Sequence, residues 1–148
     1  MPARKARVLV VLDTNVIVSY YLGKKPLSAS TQIFRLWRYE RHLQLIVSDA
    51  VVDEYLELLE RIGVAEARIE QFRQQLASAS IVTRVKLGAR HAISRDPDND
   101  VLLATAAAGE AQFLITNDYD LLDIPPAQKR RFRFEIVKPS VFWARWEA

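Results

Sequence analysis

The sequence predicts an α/β fold: a parallel sheet covered by helices on both faces. Three observations predict it. Val8 to Leu12 is an unbroken apolar run with three β-branched residues in five, which fits a strand buried on both sides, as the middle of a parallel sheet requires. Further short apolar runs alternate with segments of helical periodicity, and this alternation implies right-handed βαβ crossovers. Acids stand just past the first and fourth runs, at Asp13 and Asp118, and open α/β sheets bind ligands beyond the carboxyl ends of their strands.

The elements follow in order. Residues 15–22 form a short helical segment, and Ser28 or Ser30 caps a helix to about Tyr39, whose Ile33, Leu36 and Trp37 recur at spacings of three and four. Leu43 to Val47 is the second strand. Ser48 and Asp49 cap a helix reaching Ile62, with Val51, Val52, Tyr55, Leu56, Leu58, Leu59 and Ile62 on one broad side. Gly63 ends it, and Ala65 to Ala77 forms the next helix.

Ser80 to Val85 reads as a third strand. Asp96 as cap and Pro97 at the first helical position start a helix that runs through Val101 to Ala108 and stops at Gly109; its apolar character after the first turn predicts burial. Gln112 to Thr116 is the fourth strand, Tyr119 to Leu122 a turn of helix, Pro125-Pro126 a breaker and Phe134 to Val137 the fifth strand. Pro139 opens a terminal helix whose Trp143 and Trp146 are expected to pack onto the sheet.

At 148 residues the chain reads as one domain, 1–148, with a core of its own and no internal repeat or linker. It contains no cysteine, which excludes disulfides and thiolate metal sites and fits the cytoplasm. No apolar stretch approaches the roughly 18 residues of a membrane span. The net charge of +3 is modest, but its distribution is uneven. Arg84, Lys86, Arg90 and Arg95 form one acid-free basic stretch, Lys129, Arg130, Arg131 and Arg133 a second, and Arg4, Lys5 and Arg7 a third.

Four places supply candidate carboxylates: Asp13, the Asp53/Glu54 pair, Asp100 and Asp118. Asp13 and Asp118 each have an alternative role as helix caps, Asp96 is best explained as one, and Asp98 lies in a first turn where the helix dipole favours any acid. Asp100 shares a face with Leu103, Ala104 and Ala107 that is expected to be buried, and an unpaired buried carboxylate costs several kcal/mol. It calls for a cation. Four converging carboxylates repel by about 4 kcal/mol per pair at 4 Å and an effective dielectric near 20, so such a cluster must protonate, splay or bind cations. An all-oxygen donor set suits Mg²⁺ or Mn²⁺; His42 and His91 do not form a spaced zinc pair.

These residues resemble a known family. L-D-T-N-V-I-V-S at 12–19, S-D-A-V-V-D-E-Y-L at 48–56, R-D-P-D-N-D-V-L-L-A-T-A at 95–106 and F-L-I-T-N-D-Y-D-L-L at 113–122 look like the PIN-domain nucleases, in particular the toxin components of toxin-antitoxin systems related to VapC. The likeness implies a three-layer α/β/α sandwich with a five-stranded parallel sheet in order 3-2-1-4-5. It also implies metal-dependent RNA cleavage that leaves a 5′-phosphate and a 3′-hydroxyl. It carries the four acids onto Asp13, Glu54 rather than Asp53, Asp100 and Asp118, as ligands of one or two Mg²⁺ or Mn²⁺ ions. Asn15 and Thr116 match supporting polar positions, with Asp98 and Asp120 as further candidates beside the cluster. Two residues depart from the pattern: Asn99 stands where many relatives carry an acid, and Asn117 where glycine is common.

An acidic site needs basic neighbours to hold RNA, and Arg90 and Arg95, then Lys129, Arg130, Arg131 and Arg133, are the candidates. The resemblance further implies a homodimer or higher assembly and an antitoxin partner. Two phosphoryl-transfer folds fit worse. A haloacid-dehalogenase-like phosphatase wants an acid where Asn15 stands, and a phosphoacceptor receiver leaves Glu54 and Asp100 without a role. The remaining rival is a non-catalytic RNA-binding or protein-interaction module on the same fold.

Overall fold

A computed structural model describes residues 6–23, 25–87 and 97–148, with positions 97 and 98 described by backbone alone. Among these residues, β1 (Val8–Leu12), β2 (Leu43–Val47), β3 (Val82–Arg84), β4 (Phe113–Ile115) and β5 (Glu135–Val137) form one sheet, ordered β3-β2-β1-β4-β5. Every pairing is parallel: Leu45 of β2 sits opposite Val82, Val10 opposite both Leu45 and Phe113, and Phe113 opposite Glu135. The central strand is the one the apolar run at 8–12 predicts. Val10, Val11 and Leu12 are all fully buried, which a strand achieves only when both faces are covered.

The helices flanking the sheet are α1 (Thr14–Leu22), α2 (Ala29–Arg38), α3 (Asp49–Arg61), α4 (Glu66–Leu76), α5 (Pro97–Ala108), α6 (Tyr119–Leu122), α7 (Pro126–Lys129) and α8 (Pro139–Glu147). Ser28, not Ser30, caps α2, accepting a hydrogen bond from the Thr31 amide. Ser48 caps α3 through the Val51 amide, so Asp49 is its first helical residue. After α3 the chain turns at Gly63 with φ +85°, a left-handed conformation that glycine adopts without a Cβ penalty. Pro125-Pro126 does more than break the chain: Pro126 occupies the first position of the helical turn α7, where its missing N–H is not needed.

Tyr21, Phe34, Trp37, Tyr55 and Phe72 form an aromatic cluster joining α1, α2, α3 and α4, with ring centroids 5.2–6.2 Å apart, mostly edge-to-face. Two expectations need correction. The α5 helix is buried along one side only: Leu102, Leu103, Thr105 and Ala106 are inside, whereas Ala107 is exposed and Asp100 half-buried. Small alanines let the outer side of this helix remain in water at little cost. On α8, Phe142 is buried against Phe113, but Trp146 stays 36% exposed beside His42, because it lies a further turn toward the end of the helix, past the sheet.

Gly109, where α5 stops, backs directly onto the Ile46 side chain of β2; a Cβ placed there would lie closer to Ile46 Cγ2 than real packing allows, and only 2.9 Å from Cδ1. Gly109→Ala is therefore expected to destabilise the fold by about 1–3 kcal/mol, the usual cost of overpacking. Urea unfolding with an unchanged slope is the check.

Candidate active site

The parallel sheet fixes where the acids go. β1 and β4 are neighbours in space but far apart in sequence, and the connections leaving them turn in opposite directions, which opens a crevice beyond their carboxyl ends. Asp13 follows β1 and Asp118 follows β4. A single side chain ties them together. Thr116 Oγ1, fully buried, donates to Asp13 Oδ2 at 2.6 Å and accepts from the Asp118 amide at 2.9 Å. The Thr116 amide is held in turn by Val137 O of β5 at 3.0 Å, so the bridge belongs to the sheet itself.

Asp13 is 8% exposed. Burial pushes its carboxyl above the usual value of 3.8, Thr116 and the amides of Thr14 and Asn15 pull it back, and the Asp118 charge raises it again. Asn15 Nδ2 stands 3.4 Å from Asp13 Oδ2, a weak donation. Asp118 accepts on Oδ2 from Asn99 Nδ2 at 3.2 Å and on Oδ1 from the Asp120 amide at 2.9 Å, the latter as the cap of α6. Asn99 is thus a buried donor aimed at Asp118, a role an acid at that position does not fill. Asp120 supplies its backbone, while its side chain is exposed.

Glu54 is half-buried on α3 and Asp53 is exposed. Glu54 lines a groove of about 490 Å³ between α3 and α5 together with Ala50, Asp53, Glu57 and Val101. Its link to the crevice is Tyr55. That hydroxyl, fully buried, donates to the Leu12 carbonyl at the end of β1, and burial followed by the charges of Asp13 and Glu54 holds it well above the usual phenol range, in its protonated form. The α3–α5 contact is pinned by a buried hydrogen bond of 2.9 Å between Ser48 and Thr105, which sets the helix of Glu54 against that of Asp100.

Among the described residues, no three His, Asp or Glu side chains stand close enough to hold one ion, and Asp13 feels the charge of Asp118. The donor chemistry nonetheless suits a hard cation. Every polar group is oxygen or amide, the two carboxylates oppose each other's charge, and two buried oxygens beside Asp13, Thr14 Oγ1 and Asn15 Oδ1, find no protein partner among the described residues.

The basic candidates divide. Arg90 and Arg95 lie outside the described residues, as does the Asp98 side chain. Arg131 and Arg133 lie just before β5, so the parallel register sets them toward the opposite end of the sheet from Asp118, whereas Lys129 and Arg130 lie at the end of the α7 turn, with Lys129 Nζ donating to Leu122 O of α6 at 2.5 Å. Another cation does reach the crevice end: Lys138, whose place after the last strand suits the lysine of a phosphoacceptor receiver, donates to Tyr119 Oη at 2.7 Å and lies 4.5 Å from that ring's centroid. Its position directly after the fifth strand was the only available signal. Tyr55 was legible only as a core residue.

The topological switch point of this parallel α/β sheet thus carries Asp13 and Asp118, joined through a buried hydroxyl that meets the carboxylate of the first and the main-chain amide of the second. A model of the PIN domain matches residues 9–120. The chain belongs to the PIN-domain family. Among solved structures, a chain in the crystal structure of VapBC2 from Rickettsia felis bound to a DNA fragment from their promoter superposes with a TM-score of 0.58 at 14% identity, covering 88% of this chain and 98% of that one. At that identity the likeness speaks for the fold. No curated protein sequence matches the chain.

Proposed function

We propose that this protein is a metal-dependent ribonuclease, a single domain over 1–148, acting in the cytoplasm as the toxin of a toxin-antitoxin pair. The observation that carries the reading is the Asp13–Thr116–Asp118 bridge at the switch point of a PIN-family chain. PIN domains are generally nucleases that use divalent ions. Asp13, Glu54, Asp100 and Asp118 are the residues that would hold one or two Mg²⁺ or Mn²⁺ ions. Such ions, when bound, neutralise phosphate charge and lower the pKa of a coordinated water.

The chain's own residues do the positioning. Thr116 fixes the orientation of Asp13 and of the Asp118 backbone, and Asn99 fixes the Asp118 carboxylate. Tyr55, kept protonated, anchors the end of β1 from beneath. Lys138 offers a positive charge to an RNA phosphate beside Asp118. The fold shared with a chain of the VapBC2 complex supports an antitoxin partner; a homodimer or larger assembly is part of the same proposal. No helix among the described residues is long and apolar enough to cross a membrane, and membrane attachment has no part in this reading.

The test combines binding with chemistry. Mn²⁺ at a hundredfold excess over its Kd is expected to stabilise the fold by ~2.7 kcal/mol, about 5–10 °C in Tm for a domain of this size, and EDTA is expected to reverse the rise. The same ion should support cleavage of mixed RNA, with 5′-phosphate ends, and Asp100→Asn should lose that cleavage while remaining folded. A melting curve indifferent to Mn²⁺, with intact RNA, would leave the non-catalytic module standing and sink the nuclease.

A further inference from the structure

Arg38, the last residue of α2, is a buried cation that meets no acid among the described residues. It is 9% exposed and enters no ion pair among the described residues. Its Nη1 donates to Tyr21 Oη at 3.3 Å, and its guanidinium lies 5.5 Å from the Phe34 ring centroid and 5.3 Å from that of Tyr39. Its Nε finds no partner. Tyr21 is no counter-anion, since burial pushes its phenol up to about 12. Aromatic faces offset part of the cost of burying a cation, but an unpaired buried guanidinium still costs several kcal/mol.

The guanidinium lines a groove of about 360 Å³ shared with Arg41, Gln71, Gln74, Gln75 and Ser78. No aspartate or glutamate lines it. Gln75 carries a second buried orphan, Oε1, so among the described residues the four unsatisfied buried side-chain atoms fall in two places: two beside Asp13 and two here. Arg7 adds positive charge nearby, with Nη1 bonded to the Ser80 carbonyl and to Gln44 Oε1. Arg41 holds φ at +56°, a conformation glycine would adopt at less cost, and it lines the same groove as Arg38. Arg41 precedes β2 and Ser78 precedes β3, so the groove sits at the amino ends of the strands, across the sheet from the acidic crevice.

We propose that Arg38 and Arg41, with the glutamine amides of α4 and Ser78, form a second site that binds the phosphoryl group of a small phosphorylated molecule. Paired guanidinium groups match the oxygens of a tetrahedral oxyanion, and the amides and hydroxyls of the groove suit a polar body attached to it. The volume falls in the range of small-molecule sites, roughly 300–1,000 Å³. The site does not depend on the nuclease reading.

Inorganic phosphate, adenosine monophosphate and a short single-stranded RNA, each titrated in metal-free buffer against chloride of equal ionic strength, separate the sources. Phosphate and the mononucleotide are expected to raise Tm by about 2 °C or more at saturation. Arg41→Gly, at an exposed position whose backbone suits glycine, and Arg38→Met are each expected to abolish that rise while leaving the response to Mn²⁺ intact. Should Arg38→Met fail to fold, Arg41→Gly alone decides. A shift no larger than that of chloride, one that survives Arg41→Gly, or one given by RNA but not by phosphate would overturn the assignment.

Discussion

Asp13→Asn is expected to abolish RNA cleavage, by about a thousandfold or more, and at the same time to raise the Tm of the metal-free protein by about 2–4 °C. The two effects share a cause. Asp13 is buried, faces the charge of Asp118 and has its carboxyl raised by both, so the ionised form is disfavoured in the fold. An amide of the same shape can still accept from Thr116 Oγ1 but carries no charge to desolvate. The sign of the pH dependence follows. With the folded pKa above the unfolded value of 3.8, the penalty is absent below 3.8 and grows as pH rises through the folded pKa, so the metal-free wild type loses stability across that window and the Asn variant does not. Melting curves from acid to neutral pH, with and without Mn²⁺, read both. A variant that retained cleavage would end the carboxylate mechanism.

Thr116→Val should do the opposite to stability. It keeps the shape and removes the one hydroxyl that satisfies both Asp13 Oδ2 and the Asp118 amide. Leaving buried groups unpaired costs about 1–3 kcal/mol, and loss of a group that orients metal ligands typically costs 10- to 100-fold in affinity or activity, here roughly the same. Thr116→Ser, which retains the hydroxyl, is expected to recover most of the activity. If the valine variant cleaves RNA at the wild-type rate, Thr116 is a core residue and nothing more.

The sheet was readable because its inner strands announce themselves locally: Val8 to Leu12 is apolar without interruption, Leu43 to Val47 is broken only by Gln44, and polar helix-cap residues follow both. Asp13 and Asp118 were readable for the same reason, as acids at strand ends. What escaped reading depends on neighbours that no local pattern encodes. The bridge through Thr116 exists only because β1 pairs with β4, 103 positions apart in the chain. Tyr55 and Asn99 look like an ordinary core aromatic and a helix-start amide until the fold turns their polar atoms toward Leu12 O and Asp118. Conversely, Arg131 and Arg133 form a tempting run in the sequence, yet the direction of β5 carries them to the far end of the sheet. Arg38 gives no sign of itself at all, since helix ends favour arginine for their dipole alone.

Both margins of the sheet are abbreviated: β3 and β5 hold three residues each, against five in β1 and β2. A foreign strand laid along either rim finds only a few amide and carbonyl groups to grip, too few to seed a continuous ladder. Material crowded during synthesis or refolding is thereby steered away from fibril growth.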